Sequence, residues 1–198
     1  MAATPKARRS QAERRAESRQ SVLEAAITLF GQRGYADTSL EDIAEKCGLT
    51  IRPIYHYFGN KKALFAAVNE SMEQRIVDSI AATDQHTPRD ALLANYRSFL
   101  DLCDDPAFRR IVLIDSPNVL GRDRWAQGPV MRKAMVGTTT PTTSSARDFR
   151  KALMNRVLMA ALAEVSLAVA EADNLAVAKR EAHSTITALL EALLPPPS

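Results

Sequence analysis

Cysteine is nearly missing from this chain: Cys47 and Cys103 are the only two in 198 residues. Two are too few for a disulfide framework or a four-ligand metal site. The three histidines, His56, His86 and His183, are too scattered to suggest a metal centre. The seven glycines include no phosphate-cradling loop. Nor is there a nucleophile elbow or a convincing acid–base pair. Nothing here argues for catalysis, and neither a cofactor nor a metal is expected. No stretch approaches 18 uninterrupted apolar residues, so a membrane-spanning helix is not expected. The N-terminus is basic and polar, with no apolar core behind its charges, unlike a secretory signal. The expected compartment is the cytoplasm.

Acidic charge is short in one region only. The net charge is +3, yet Met1–Phe65 holds 11 of the 26 Lys and Arg against 7 of the 23 Asp and Glu. The basic excess sits where a polyanion would need it. Residues 1–17 read as a basic arm in which Lys6, Arg8 and Arg9 can lie along phosphates or enter a minor groove. Arg14, Arg15 and Arg19 serve equally well as the charged start of a helix.

No convincing strand alternation occurs, and the apolar periodicity is helical throughout, so the fold class is all-α. Val22, Leu23, Ala26, Ile27 and Phe30 form one face of a first helix that Gly31, Gly34 and Tyr35 end. Thr38 and Glu41 have capping-box spacing. Leu40, Ile43, Ala44 and Cys47 give a second helix a narrow stripe, and Gly48 stops it. Thr50 is a good N-cap for a third helix. Pro53 sits in that helix's first turn, where a missing N–H is tolerated. Ile54 and Phe58 face inward, leaving Thr50, Ile51, Arg52, Tyr55, His56 and Tyr57 outside. Gly59 and Asn60 break this helix, and Lys61 and Lys62 open the next. Two helices at a glycine corner fit any helical protein. With the preceding helix they form a three-helix helix-turn-helix core, residues 18–65, that offers its last helix to a DNA major groove.

At these residues the chain resembles a family. LFGQRGYADTSLEDIAEKCGLTIRPIYHYFGNKKALF is similar to the N-terminal domain of tetracycline-repressor-type (TetR family) transcriptional regulators, from about Ser18 to Val68. The features that carry the likeness are Phe30, Gly34 and Tyr35, then Asp42 to Ala44, the Gly48 turn, Tyr55 to Phe58, and Lys61. Pro53 and Ile54 depart mildly from the commonest small residue and leucine there. In a DNA complex, phosphate contacts are expected from the arm, Thr38, Ser39, Tyr57 and Lys61. Base-edge contacts are expected from Thr50, Arg52 and His56, with Tyr55 able to serve either role.

Residues 66–198 read as a second helical domain. Ala66–Ala82 is expected as a linking helix. Another begins at Thr87 and Pro88, with Leu92, Leu93, Tyr96, Phe99, Leu100 and Cys103 inward. A third starts at Asp105 and Pro106, carries Phe108, Ile111, Val112, Ile114 and Asp115, and stops at Pro117. Arg122–Met135 reads as a helix interrupted near Gly128 and Pro129, and Gly137–Ser145 as a mobile loop. Asp148–Ala172 and a helix capped by Asn174 and running to Leu194 finish the chain. That last pair either closes the monomer's own core or forms half of a four-helix bundle with its copy. Dimerisation is favoured because two half-sites about 34–36 Å apart supply affinity and specificity.

The bulky or polarizable residues Tyr96, Phe99, Cys103, Phe108, Ile111, Asp115, Trp125, Met131, Met135, Met154 and Met159 lie on helices expected to converge. They suit either a pocket for apolar ligands or an ordinary core. Asp115 is the sharper case, since an acid on an apolar helix needs a ligand, a water or a partner such as Arg109, Arg110 or Arg122. FRRIVLIDSPNVLGRDRW and ALAEVSLAVAEADN resemble, more weakly, parts of TetR-type effector domains. The resemblance implies a small-molecule site among the central helices and a homodimer through the last two. The expected function is a ligand-responsive regulator released from a palindromic operator on double-stranded DNA. An activator or architectural protein without an effector is the alternative.

Overall fold

Ser10 opens the described chain as the cap of α1 (Gln11–Arg33): its hydroxyl accepts the Glu13 N–H at 3.1 Å, and the Glu13 carboxylate accepts the Ser10 N–H at 2.7 Å. The computed structural model describes residues 10–81, 88–121 and 146–193. The rest of the arm, with Lys6, Arg8 and Arg9, lies outside them. So do Trp125, Met131, Met135, His86 and the expected loop Gly137–Ser145. Among the described residues there is no strand, in accord with the all-α reading.

The helix α1 buries Val22, Leu23, Ala25, Ala26, Leu29 and Phe30, and Gly34 ends it by donating to the Phe30 carbonyl at 2.9 Å. The next capping box differs from the expected one. Ser39 caps α2 (Leu40–Lys46) with Asp42, through Asp42 N to Ser39 Oγ at 3.0 Å and Ser39 N to Asp42 Oδ2 at 2.9 Å. Thr38 is instead turned inward, only 1% exposed, and its hydroxyl donates to the Gly34 and Leu29 carbonyls at 2.8 and 3.3 Å. The Gly34 carbonyl, just past the end of α1, captures the threonine and moves the cap one residue on. Hydrogen bonds from the Ser39 hydroxyl and amide hold the Asp42 carboxyl below its ordinary 3.8. Ser39→Ala is expected to cost about 0.5–2 kcal/mol, the usual worth of such a cap. Urea unfolding measures it, and an unchanged midpoint would show that the box adds nothing.

The helix α3 (Ile51–Phe58) follows the Gly48 turn, with Thr50 at the N-cap position. Thr50 suits a cap by residue type, yet its hydroxyl makes no cap bond. Asn60 caps α4 (Lys61–Ala81) by accepting the Ala63 N–H at 2.8 Å. Phe30, Tyr35 and Phe65 knit α1 to α4, with centroids 5.0–5.9 Å apart.

Beyond α5 (Pro88–Leu102), Asp105 caps α6 (Pro106–Phe108), and Arg75 of α4 pairs with the same carboxylate at 2.7 Å. The next seven residues, Arg109–Asp115, wind as a π-helix, π1, that runs into α7 (Ser116–Val119). Pro117 therefore does not stop the chain, as its sequence position implied. The Ser116 N–H reaches back five residues to the Ile111 carbonyl. That wider ring removes the clash a proline makes with the carbonyl four residues before it.

Two long helices complete the fold, α8 (Ala146–Glu171) and α9 (Leu175–Leu193), the latter capped by Asn174 through the Val177 N–H at 3.1 Å. They pack on one another, and α8 also packs on π1. Within Asp148–Glu171 an 18-residue window reaches a mean hydropathy of 1.6, so the helix is long and apolar enough, by length and composition alone, to cross a membrane. Leu158 and Val169 of α8 are buried in the core with Ile186 and Leu190 of α9. The pair is clamped to α5 by Lys179, which donates to Asp101 and Asp104 at 3.1 and 3.0 Å. His183 is half-buried and accepts from Arg97 at 3.1 Å.

Candidate nucleic-acid interface

The reading surface is built outward from Ile54, which is fully buried against the first core. With that side chain fixed inside, the helical period turns Arg52, Tyr55 and His56 to solvent, Tyr55 at 51% exposure. An exposed tyrosine of that size beside an arginine offers both a stacking surface and a bidentate donor. Tyr57 and Phe58 are half-buried and pack ring to ring, centroids 6.4 Å apart. Thr50 stands exposed at the start of α3, with its hydroxyl uncommitted to the helix.

Two basic residues of α1 brace this helix. Arg15 Nη2 donates to His56 Nε2 at 2.7 Å, and the Arg19 guanidinium lies 4.9 Å from the Phe58 ring centroid. The sequence left both equally suited to an ordinary helix start. Their partners on α3 carried no signal in the sequence, because the contacts span 41 and 39 positions. Lys61 lies at the far end, where its Nζ donates to the Ala36 carbonyl at 3.2 Å and sits 4.4 Å from the Tyr35 ring centroid. A shallow depression there is lined by Asp37, Ser39, Glu41, Tyr55 and Lys61.

The structure thus brings Thr50, Arg52, Tyr55, His56 and Tyr57 onto one helix, with Ser39 and Lys61 beside it. Thr38 stands behind them, its hydroxyl donating to the Gly34 and Leu29 carbonyls. Ser39 is half-buried, and its hydroxyl both accepts from the Asp42 N–H and donates to the Asp42 carboxylate at 2.7 Å.

The residues expected to line a pocket divide into two groups. Tyr96, Phe99, Cys103, Phe108 and Ile111 are closed into the second core, where Phe99 stacks on Tyr96 at 6.1 Å and meets Phe108 edge-on at 5.9 Å. Burial pushes the Cys103 thiol up to about 11, so it is a packing group and a poor nucleophile. Met154 and Met159 are half-buried on α8. Asp115 has partners within the chain. Its carboxylate accepts the Tyr35 N–H at 2.7 Å and pairs with Arg110 at 3.3 Å, because π1 turns it toward the end of α1. A pair that sequence reasoning missed is Asn69 and Glu73 on α4, 0% and 3% exposed, with the amide donating to the carboxylate at 2.8 Å.

Comparison with known proteins agrees with this geometry. Residues 22–68 match the family described as bacterial regulatory proteins, tetR family, and residues 89–193 match the one described as tetracyclin repressor-like, C-terminal domain. Over 60 residues the chain is 42% identical to the HTH-type transcriptional regulator AcrR of Shigella flexneri, covering 30% of this chain and 28% of that one. Over 73 residues it is 40% identical to the HTH-type transcriptional regulator TtgR of Pseudomonas putida, covering 37% and 31%. The match thus spans less than a third of either relative's length. A TetR-family regulator structure from Pectobacterium atrosepticum is similar over 96% of this chain and 100% of its own, with TM-score 0.64 and 26% identity. Another from Rhodococcus sp. RHA1 is similar in fold over 91% and 98%, with TM-score 0.61 and 23% identity.

Proposed function

The chain belongs to the tetracycline-repressor (TetR) family of bacterial transcriptional regulators, and on that footing we propose that it is a homodimeric, ligand-responsive repressor of the cytoplasm. Members of this family are generally DNA-binding repressors and not enzymes. The observation that carries the reading is the α3 face, with Arg52, Tyr55 and His56 exposed on a helix whose other side is anchored by Ile54. Residues 1–17 serve as the basic arm, 18–65 as the DNA-reading domain and 66–198 as the effector and dimer domain. Lys6, Arg8 and Arg9 would follow the phosphates beside Ser39, Tyr57 and Lys61.

The dimer reading draws on a second observation. Phe149, Leu153 and Val157 recur every four residues along α8 at 58%, 49% and 47% exposure, and Val177 of α9 is 42% exposed. Such a stripe favours a second apolar surface over water. An antiparallel pairing of α8 and α9 with their copies would cover it and set the spacing of the two reading helices. A small molecule among the central helices, bordered by Tyr96, Phe99, Phe108 and Met154, would favour a conformation with the wrong spacing.

The test is selection of bound sequences from a random DNA pool by the purified protein, repeated across salt concentrations. A palindrome with half-sites about 34–36 Å apart is the expected product. Salt-sensitive binding without a motif would overturn the repressor reading. Arg52→Ala is expected to cost about 1–3 kcal/mol on the selected operator and to relax one base position. Equal weakening on operator and random DNA would make Arg52 a phosphate contact.

A further inference from the structure

The end of α1 is seated on α6 and π1 more closely than ordinary side chains allow. A Cβ on Gly31 would fall 2.5 Å from the Ala107 Cβ, and one on Gly34 would fall 2.2 Å from Arg110 Nη2. Arg110 therefore occupies the space a side chain at 34 would fill. From that position its Nε lies 3.3 Å from Asp115 Oδ1, and Asp115 Oδ2 accepts the Tyr35 N–H at 2.7 Å. The Asp115 side chain is 13% exposed, so this carboxylate is held largely away from water. Tyr35 itself packs on Phe30 and Phe65 and lies under Lys61 at the head of α4. An acid of the larger helical part thus grips the backbone just before the helix-turn-helix.

The spacing of the pair is the informative detail. Residues five apart on an α-helix stand about 140° apart around the axis and face different ways. In an i→i+5 winding they lie one turn apart on the same side. Arg110 and Asp115 meet because Arg109–Asp115 is a π-helix. The same seven residues bury Ile111, Val112 and Leu113, and π1 packs against α8, α4 and α1 together. One short segment therefore faces the second core on one side and holds the head on the other.

We propose that π1 is a register switch and that Arg110 and Asp115 are positioning residues for DNA binding. Wound wide, π1 keeps the clasp on Tyr35 and fixes the orientation of the head. Rewound toward an α-helix by a molecule displacing Ile111, Val112 or Leu113, it carries Arg110 and Asp115 to different sides and releases the Tyr35 amide. The head then samples many orientations, few of which place both reading helices on one operator. This proposal rests on the regulator reading above for its consequence, though not for its geometry.

The test uses the full chain, isotopically labelled for NMR, as wild type and as Asp115→Ala, Asp115→Asn and Arg110→Met. Without DNA, Asp115→Ala is expected to speed exchange of the Tyr35 amide by about tenfold or more. Relaxation of amides 22–58 should then diverge from that of α8 and α9. Asp115→Asn, which keeps an acceptor but loses the charge, should fall between. On the operator selected by the wild type, Asp115→Ala and Arg110→Met should weaken binding by about tenfold with the salt slope unchanged, because no phosphate contact is removed. Wild-type relaxation of the head together with wild-type operator affinity in both variants would overturn the proposal. Should Asp115→Ala fail to fold, Arg110→Met decides alone, since that side chain is 43% exposed. If the wild type selects no operator, the regulator reading fails, and the relaxation measurements still judge the clasp.

Discussion

Phe30→Ala is expected to cost about 3–5 kcal/mol of stability, the range for removing a phenyl ring from a packed core. Phe30 is 0% exposed and meets Phe65 edge-on at 5.1 Å and Tyr35 at 5.9 Å. Alanine would leave a cavity where α1, the turn before α2 and α4 converge. Neither neighbouring ring can swing in to fill it: Phe65 is itself fully buried, and Tyr35 is tethered by its own backbone to Asp115. At this chain length each kcal/mol lowers Tm by about 2–4 °C, so calorimetry should show a fall of roughly 10 °C. A fall of only a degree or two would mean that the head draws its stability from elsewhere.

Gly34→Ala is also expected to destabilise the chain, for a different reason. Gly34 has φ 82° and ψ 173°, a backbone region that only glycine visits without strain, and other residues held there lose about 1–3 kcal/mol. The methyl group would also collide with Arg110 and push the guanidinium off Asp115. Gly48 is the natural control. It too has a positive φ, 67°, but open space where its Cβ would stand. Gly48→Ala should therefore cost only about 1 kcal/mol, the left-handed penalty alone. Urea unfolding of the two variants side by side measures the difference, and a loss at Gly34 no larger than at Gly48 would mean that neither its rarer backbone region nor Arg110 adds a cost.

Much of the head was legible because its signals are local. Glycine at a helix end, an apolar residue every three or four positions and asparagine before α4 each act within one turn. The reading helix and its exposed Arg52, Tyr55 and His56 followed from that period alone. The cap falls on Ser39 and not, as the spacing to Glu41 implied, on Thr38, because both residues offer a hydroxyl at cap spacing. Only the bonds that the Thr38 hydroxyl makes to the Gly34 and Leu29 carbonyls decide between them. Pro117 was misread for a similar reason, since a stop signal holds only if the preceding turn has α geometry. Asp115 was singled out correctly as an acid that needs a partner. Which partner it takes depends on a helix five residues wide per bond and on a backbone amide 80 positions away, and no local pattern encodes either.

That wide turn has a bearing on how such a chain tolerates changes in length. Each hydrogen-bonded ring in π1 encloses one residue more than an α-helical ring would. The segment therefore holds a residue in reserve, between Asp105 bound to Arg75 on one side and the Tyr35 amide held by Asp115 on the other. A single-residue deletion inside 109–115 has somewhere to be absorbed, by tightening the winding, whereas the same deletion in α1 or α4 would throw every later side chain out of phase. A chain shortened by one residue in this segment is expected to keep its fold while changing how π1 grips the end of α1.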